Sequence, residues 1–179
     1  AFEQILDQYE YRNYKIIEFL QTMGVVYNAL VAIVSRGGHT HPIPGGCYAI
    51  TDNMLDEIRS GRFGRHACDV GVFIAGALAG EGHALAMVVD PPVTDEFHPL
   101  ARFSGLPSLP RKSSFHALNQ RAAAKKYAGE QQKCYEELNL IGVHMGGGIS
   151  IAVHQRGQMV DANNALTGDG PFSTNRAGT

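Results

Sequence analysis

Three consecutive glycines, Gly146-Gly147-Gly148, stand between two strand-like apolar runs, Leu140-Ile141-Gly142-Val143 and Ile149-Ser150-Ile151-Ala152-Val153. Glycine inside a strand pattern weakens the strand, so such a cluster persists where the backbone must turn sharply or touch a ligand. The spacing predicts a hairpin, reached through His144-Met145, whose tip lies against a phosphate. A turn at Gln155-Arg156-Gly157-Gln158 and a third strand, Met159-Val160-Asp161-Ala162, extend it.

Upstream, helix and strand patterns alternate. Ile5, Leu6, Tyr9, Ile16, Ile17 and Leu20 recur at near-helical spacing from Glu3 to Met23, and Gly24 ends that helix. Ala29 to Val34 and Ala84 to Val89 are continuous apolar runs of the kind expected for strands buried on both faces. Gly37 to Gly46, with four glycines and two prolines, is expected to be a loop that moves or wraps. Thr51 or Asp52 is placed to cap a helix reaching about Arg59, and His66 to Leu78 is helical in pattern. Ser113 is expected to cap a helix that continues through Tyr127. Between them, Pro91-Pro92-Val93-Thr94-Asp95 is the best domain boundary, since paired prolines suppress helix and fix an extended crossing. The alternation points to an α/β fold, and no internal repeat stands out.

Composition excludes several classes. With 44% hydrophobic residues in 179, the chain can bury a real core. A net charge of -2, with basic residues only in isolated pairs such as Arg111-Lys112 and Lys125-Lys126, argues against a nucleic-acid surface. No apolar run is long enough to span a bilayer, and the charged, aromatic first residues are unlike a signal peptide, so a soluble cytoplasmic protein without a membrane partner is expected. Cys47, Cys68 and Cys134 are odd in number and form no C-x-x-C pair, which favours reduced thiols. His39 and His41, beside Pro42 and Pro44, read as surface loop histidines rather than metal ligands.

The glycine hairpin is accompanied by Asn163-Asn164-Ala165-Leu166, Gly170-Pro171-Phe172-Ser173 and Arg176-Ala177-Gly178-Thr179. Upstream stand Ser35-Arg36-Gly37-Gly38, Gly64-Arg65-His66-Ala67, Val88-Val89-Asp90-Pro91 and, within Arg111 to Gln120, Phe115-His116-Ala117. In this order and spacing the motifs resemble the butyrate kinase branch of the acetate kinase family over nearly the whole chain. The resemblance implies part of a duplicated two-domain acetate-kinase and actin-like (ribonuclease H-like) fold, with mixed sheets flanked by helices. Residues 1–92 would be the remainder of an N-terminal kinase domain and residues 93–179 the beginning of a C-terminal nucleotide-binding domain. The family chain opens with a strand and an Asn-Pro-Gly-Ser-type phosphate loop and closes with a long adenine-binding half. Both are missing here, so the expectation is the middle of a longer kinase, insufficient for turnover by itself. Where the acetate-specific branch has Asn in the glycine loop this chain has Gly147, which favours the butyrate type. Members of that type commonly carry Ser-Asn where Cys68-Asp69 stand.

The activity implied is reversible transfer of the γ-phosphoryl group of ATP to butyrate or a similar short-chain aliphatic carboxylate, giving acyl phosphate and ADP, with Mg²⁺ as cofactor. Such chemistry needs positive charge to hold two anions together, and the planar fork of arginine suits both carboxylate and phosphate. By the resemblance, Arg36 and Arg176 match the two active-site arginines that clamp these oxygens. His116 matches the histidine that donates to the phosphoryl group, near a helix amino end that itself favours anions. His66 matches a second, substrate-binding histidine, with a structural role the equal alternative. Asp90 matches the aspartate that organises the substrate and metal side, where a carboxylate could hold a magnesium-bound water, or it is a turn cap. Gly146, Gly147 and Gly148 would let backbone amides approach the β- and γ-phosphates. His144 orients this hairpin, or is a strand histidine paired with a backbone carbonyl. The family habit implies a homo-oligomer, a dimer or larger.

Two other readings compete. A non-catalytic carboxylate- or phosphate-binding or assembly fragment would bind butyrate or phosphate without turnover. A sugar kinase or chaperone-like ATPase of the wider superfamily would need sugar- or peptide-binding motifs, and none is found.

Overall fold

The computed structural model describes residues 2–26, 29–82 and 84–166. They fall into two compact units, Ala1–His41 with Gly46–Val89, and Pro42–Gly45 with Asp90–Thr179.

In the first unit a short 3-10 turn, Leu6–Gln8, leads into α1 (Tyr9–Thr22), which stops at Met23 before Gly24 in the left-handed region (φ 66). There follow β1 (Ala32–Ser35), β2 (Cys47–Ala49), α2 (Asp52–Ser60), α3 (Cys68–Gly82) and β3 (Leu85–Val89). β3 is central, with β1 parallel on one side and β2 antiparallel on the other. Thr51 caps α2, its hydroxyl accepting from the Met54 N–H at 3.3 Å, and Gly61 closes it in the left-handed conformation. α3 is apolar nearly all round because it is enclosed. Val70, Ile74 and Leu78 meet Ile5, Leu6, Tyr9, Ile17 and Ile33, while Val72 joins Ile58 and Val88. Within this unit, helix covers one face of the sheet only. Val34 and Leu85 on the other face are exposed, so the apolar runs around β1 and β3 do not mark strands covered on both sides here.

The second unit is an antiparallel meander, β4 (Asn139–Met145), β5 (Ile149–Gln155) and β6 (Gln158–Ala162), with α4 (Ala117–Glu130) packed against it. The register pairs His144 with Ser150 and Met145 with Ile149, which leaves Gly146-Gly147-Gly148 as the connection. The next turn places Arg156 (φ 48) and Gly157 (φ 85) between Gln155 and Gln158, the paired left-handed geometry that matches strand twist. The core joins Phe97, Phe115, Ala117, Ala152, Met159 and Ala162, and α4 adds Ala124 and Ala128 against Tyr135 and Leu140. The outer face of β4 carries Ile141, Val143 and Met145, all exposed.

Two local expectations are corrected. Ser113 does not cap α4: its hydroxyl donates to the Thr94 carbonyl, and His116 occupies the cap position ahead of Ala117. Pro91 to Thr94 form a turn, closed by the Thr94 N–H on the Pro91 carbonyl at 2.8 Å, rather than an extended crossing. Pro42–Gly45 belongs with this unit because Ile43 bridges Thr94, Asp95 donates to the Ile43 carbonyl at 2.8 Å, and Gly45 donates to Glu96 at 3.0 Å.

Candidate active site

The second unit brings His116, His144 and the glycine tip together. The imidazoles of His116 and His144 stack at 3.8 Å with 9° between their planes. The buried Ser150 hydroxyl accepts from the His116 backbone N–H at 3.1 Å, and lies 2.6 Å from His116 Nδ1. The hydroxyl can donate its own proton to Nδ1, and a neutral ring in that arrangement carries its proton on Nε2. The Asn119 amide nitrogen does the same for His144 Nδ1 at 2.9 Å. Burial lowers the His144 pKa, so at neutral pH that ring is uncharged and stacks without repulsion.

A side chain at Gly146 would meet His144 Nε2 at 3.1 Å, and one at Gly148 would meet His116 Cε1 and the Ala165 carbonyl at 3.2 Å. Neither glycine has a positive φ. Close approach of the two rings, not a strained turn, is what requires glycine here. The tip therefore brings glycine backbone, two imidazole rings and the amino end of a 14-residue helix together in one place.

Behind the rings a buried polar chain fixes α4 to the sheet. Gln120 donates to the Ser150 carbonyl at 2.9 Å, His154 Nε2 lies 3.3 Å from the Gln120 carbonyl oxygen, and Tyr135 is 2.7 Å from His154 Nδ1. Burial raises the Tyr135 pKa to about 12, so its phenol stays a donor.

Asp90 lies at the start of the second unit with φ 38, in the left-handed region that a non-glycine residue seldom adopts. It is buried and forms an ion pair with Arg121 at 3.1 Å. Arg121 also binds Glu96 at 2.7 Å and the Gly157 carbonyl at 2.8 Å. The Pro92 carbonyl accepts from Phe115 at 3.1 Å, so the chain just past Asp90 runs beside the approach to His116. An arginine already counters this carboxylate. Among the described residues, the one group of three or more possible ligands close enough for a metal ion lies elsewhere and includes sulfur and nitrogen. Magnesium prefers oxygen ligands, so these residues by themselves do not fit it.

In the first unit Arg36 lies exposed just past β1, on a cavity of about 840 Å³ shared with Ser35, Ala67, Cys68 and Gly71 and walled by Ile33, Val70 and Ile74. His66 sits at the amino end of α3, where its N–H donates to Asp69 at 2.7 Å and its Nδ1 accepts from Cys68 at 3.3 Å. Arg176 lies outside the described residues.

The reading of His39 as a surface histidine is corrected. Only His41 is exposed, paired with Glu57 at 2.8 Å, whereas His39 is buried with its Nδ1 2.9 Å from Asp69. Burial alone would raise the Asp69 pKa, but the His39 ring and the His66 and His39 N–H groups outweigh it and hold it low. Burial, reinforced by Asp69, pushes the Cys68 thiol up to about 12. Proline and glycine around the loop said nothing of this burial, which depends on a carboxylate thirty residues away.

No family model matches the chain. A protein of Clostridium botulinum (strain Eklund 17B / Type B) named probable butyrate kinase is 49% identical over 178 residues, covering 99% of this chain and 50% of that protein. The chain is similar to proteins named probable butyrate kinase. It spans about half the length of the curated relatives it matches. Among solved structures, it is similar to acetate kinase of Porphyromonas gingivalis (TM-score 0.64, 18% identity, 82% of this chain and 41% of that one). It is similar also to a propionate kinase from Francisella tularensis subsp. tularensis SCHU S4 (TM-score 0.66, 16% identity, 89% and 45%). The chain thus shares part of the acetate kinase fold, α/β with mixed sheets flanked by helices.

Proposed function

We propose that the protein containing this sequence is a carboxylate kinase, transferring the γ-phosphoryl group of ATP reversibly to butyrate or a similar short-chain aliphatic acid. The observation that carries this reading is the 49% identity, over 178 residues, to proteins named probable butyrate kinase. The local chemistry agrees with it. Arg36 supplies charge for a carboxylate beside apolar walls suited to a short alkyl chain. The stacked rings of His116 and His144 lie against the glycine tip.

In the reaction a carboxylate oxygen bonds to the γ-phosphorus as its bond to the bridging oxygen breaks, and ADP leaves with that electron pair. Nε2–H groups of His116 and His144 donate to phosphoryl oxygens, Gly146, Gly147 and Gly148 cradle the phosphates, and Arg36 and Arg176 clamp the two anions. Asp90, held by Arg121, shapes the segment that approaches His116. Mg²⁺ would neutralise the phosphates it accompanies; no described group is assigned to it. Residues 1–92 and 93–179 would be parts of an N-terminal domain and a C-terminal nucleotide-binding domain. A cytoplasmic homo-oligomer, dimer or larger, completes the proposal.

The 179-residue chain alone is proposed to bind carboxylate or phosphate without turnover, since it spans half of its relatives. Hydroxamate trapping of acyl phosphate, with ATP, Mg²⁺ and butyrate, tests both parts: product from a protein of the relatives' length and none from this chain is expected. Failure of the longer protein to use any short-chain acid would overturn the kinase reading.

A further inference from the structure

We infer that His39, Cys68 and Asp69 form a binding site for one divalent cation of the zinc class in the first unit. The side chains come from two segments, the loop after β1 and the first turn of α3, and are only 5%, 4% and 1% exposed. An imidazole nitrogen, the thiol sulfur and a carboxylate oxygen all lie within 4.8 Å of one another. Zinc bonds of about 2.0–2.3 Å in a tetrahedral arrangement put ligand atoms roughly 3.3–3.8 Å apart, so shifts of about an ångström close the site. The Cys68 sulfur already stands 3.8 Å from Asp69 Oδ1.

The ligand types choose the ion. Sulfur and imidazole suit zinc, whereas magnesium and calcium take oxygen. On binding, the Cys68 thiol would release its proton to solvent, and the His39 ring would carry its proton on Nε2 so that the ion takes the place of the proton between Nδ1 and Asp69. Thiolate, carboxylate and neutral imidazole carry two negative charges against a dication, and that balance suits a buried position. Asp69 is oriented by the N–H groups of His39 at 3.0 Å and His66 at 2.7 Å, the kind of outer hydrogen bonds that hold a metal-binding carboxylate in place. Cys68 also lines the cavity of about 840 Å³ beside Arg36, which gives the ion a way in and leaves a fourth position for water or an anion.

Cobalt(II) is the probe, because a thiolate ligand gives it a charge-transfer band and tetrahedral geometry strengthens its visible bands. The full chain would carry Cys47→Ser and Cys134→Ser, which removes the two exposed thiols. One equivalent of cobalt producing both features, and zinc displacing it, is the expected result. Cys68→Ser should abolish the charge-transfer band with unchanged circular dichroism, and His39→Gln should move the titration to higher cobalt. Absence of the band, or its survival in Cys68→Ser, would show that the trio only locks the loop. If Cys68→Ser does not fold, the direct titration still decides, since it needs no change at the site.

Discussion

Ser150 is fully buried, yet its one hydroxyl meets both the backbone and the ring of His116. Ser150→Ala should leave the ring in place by stacking but free to turn. Groups that orient a metal-bound histidine are worth about 10- to 100-fold in activity or affinity, and a similar fall in kcat with KM nearly unchanged is expected here. Nitrogen-15 shifts of His116 would check the cause, since the Nδ1 and Nε2 tautomers should mix in the variant; shifts identical to wild type would exclude this role for Ser150. His144 and His154 are both held below the ordinary histidine value of 6.5, in each case first by burial. Below that value the unfolded chain binds protons that the folded chain refuses, so folding stability should rise with pH up to the region of 6.5 and be lost as pH falls. Urea midpoints at acid and neutral pH measure this, and equal midpoints would contradict it. The sequence named His116 and His144 and their loop, because the motif holds them at fixed spacing. It left the stacking and the Ser150 contact unseen, because those depend on how α4 crosses the hairpin.

At the scale of elements, the crossing of α4 over β4 depends on Gly142. A side chain there would collide with the Gln120 carbonyl oxygen and come 2.9 Å from His154 Nε2, at the centre of the buried polar chain. Gly142→Ala should destabilise the protein by about 1–3 kcal/mol, the usual cost of overpacking. Adding Gln120→Ala should recover part of that loss in a thermal melt; strictly additive effects would mean the two positions do not interact. In the first unit, Thr51→Ala should cost about 1 kcal/mol through loss of the α2 cap, read as a shift in denaturation midpoint at constant slope. The meander, the α2 cap and the stop at Gly24 were legible because turn and capping residues mark them directly. The start of α4 was misread at Ser113, since a capping hydroxyl reads the same in sequence when a distant carbonyl claims it. Pro42–Gly45 was equally opaque: its attachment to the second unit rests on Thr94, Asp95 and Glu96, about fifty residues on.

At the scale of the molecule, each unit has a sheet with a helix-covered face and an exposed apolar face, and the chain matches half the length of its curated relatives. The residues proposed for catalysis are divided between the units, Arg36 and His66 in the first, Asp90, His116, His144 and the glycine tip in the second. The α/β class and the likeness to the acetate kinases were readable from motif order along the sequence. The most direct test is hydroxamate-trapped phosphorylation of butyrate by ATP, measured on a protein of the relatives' full length and on its His116→Ala variant. Acyl phosphate from the first, with kcat lower by about 10² to 10³ in the second as for loss of a transition-state donor, is the expected result. No acyl phosphate from butyrate, propionate or acetate, or equal rates in the two proteins, would contradict it.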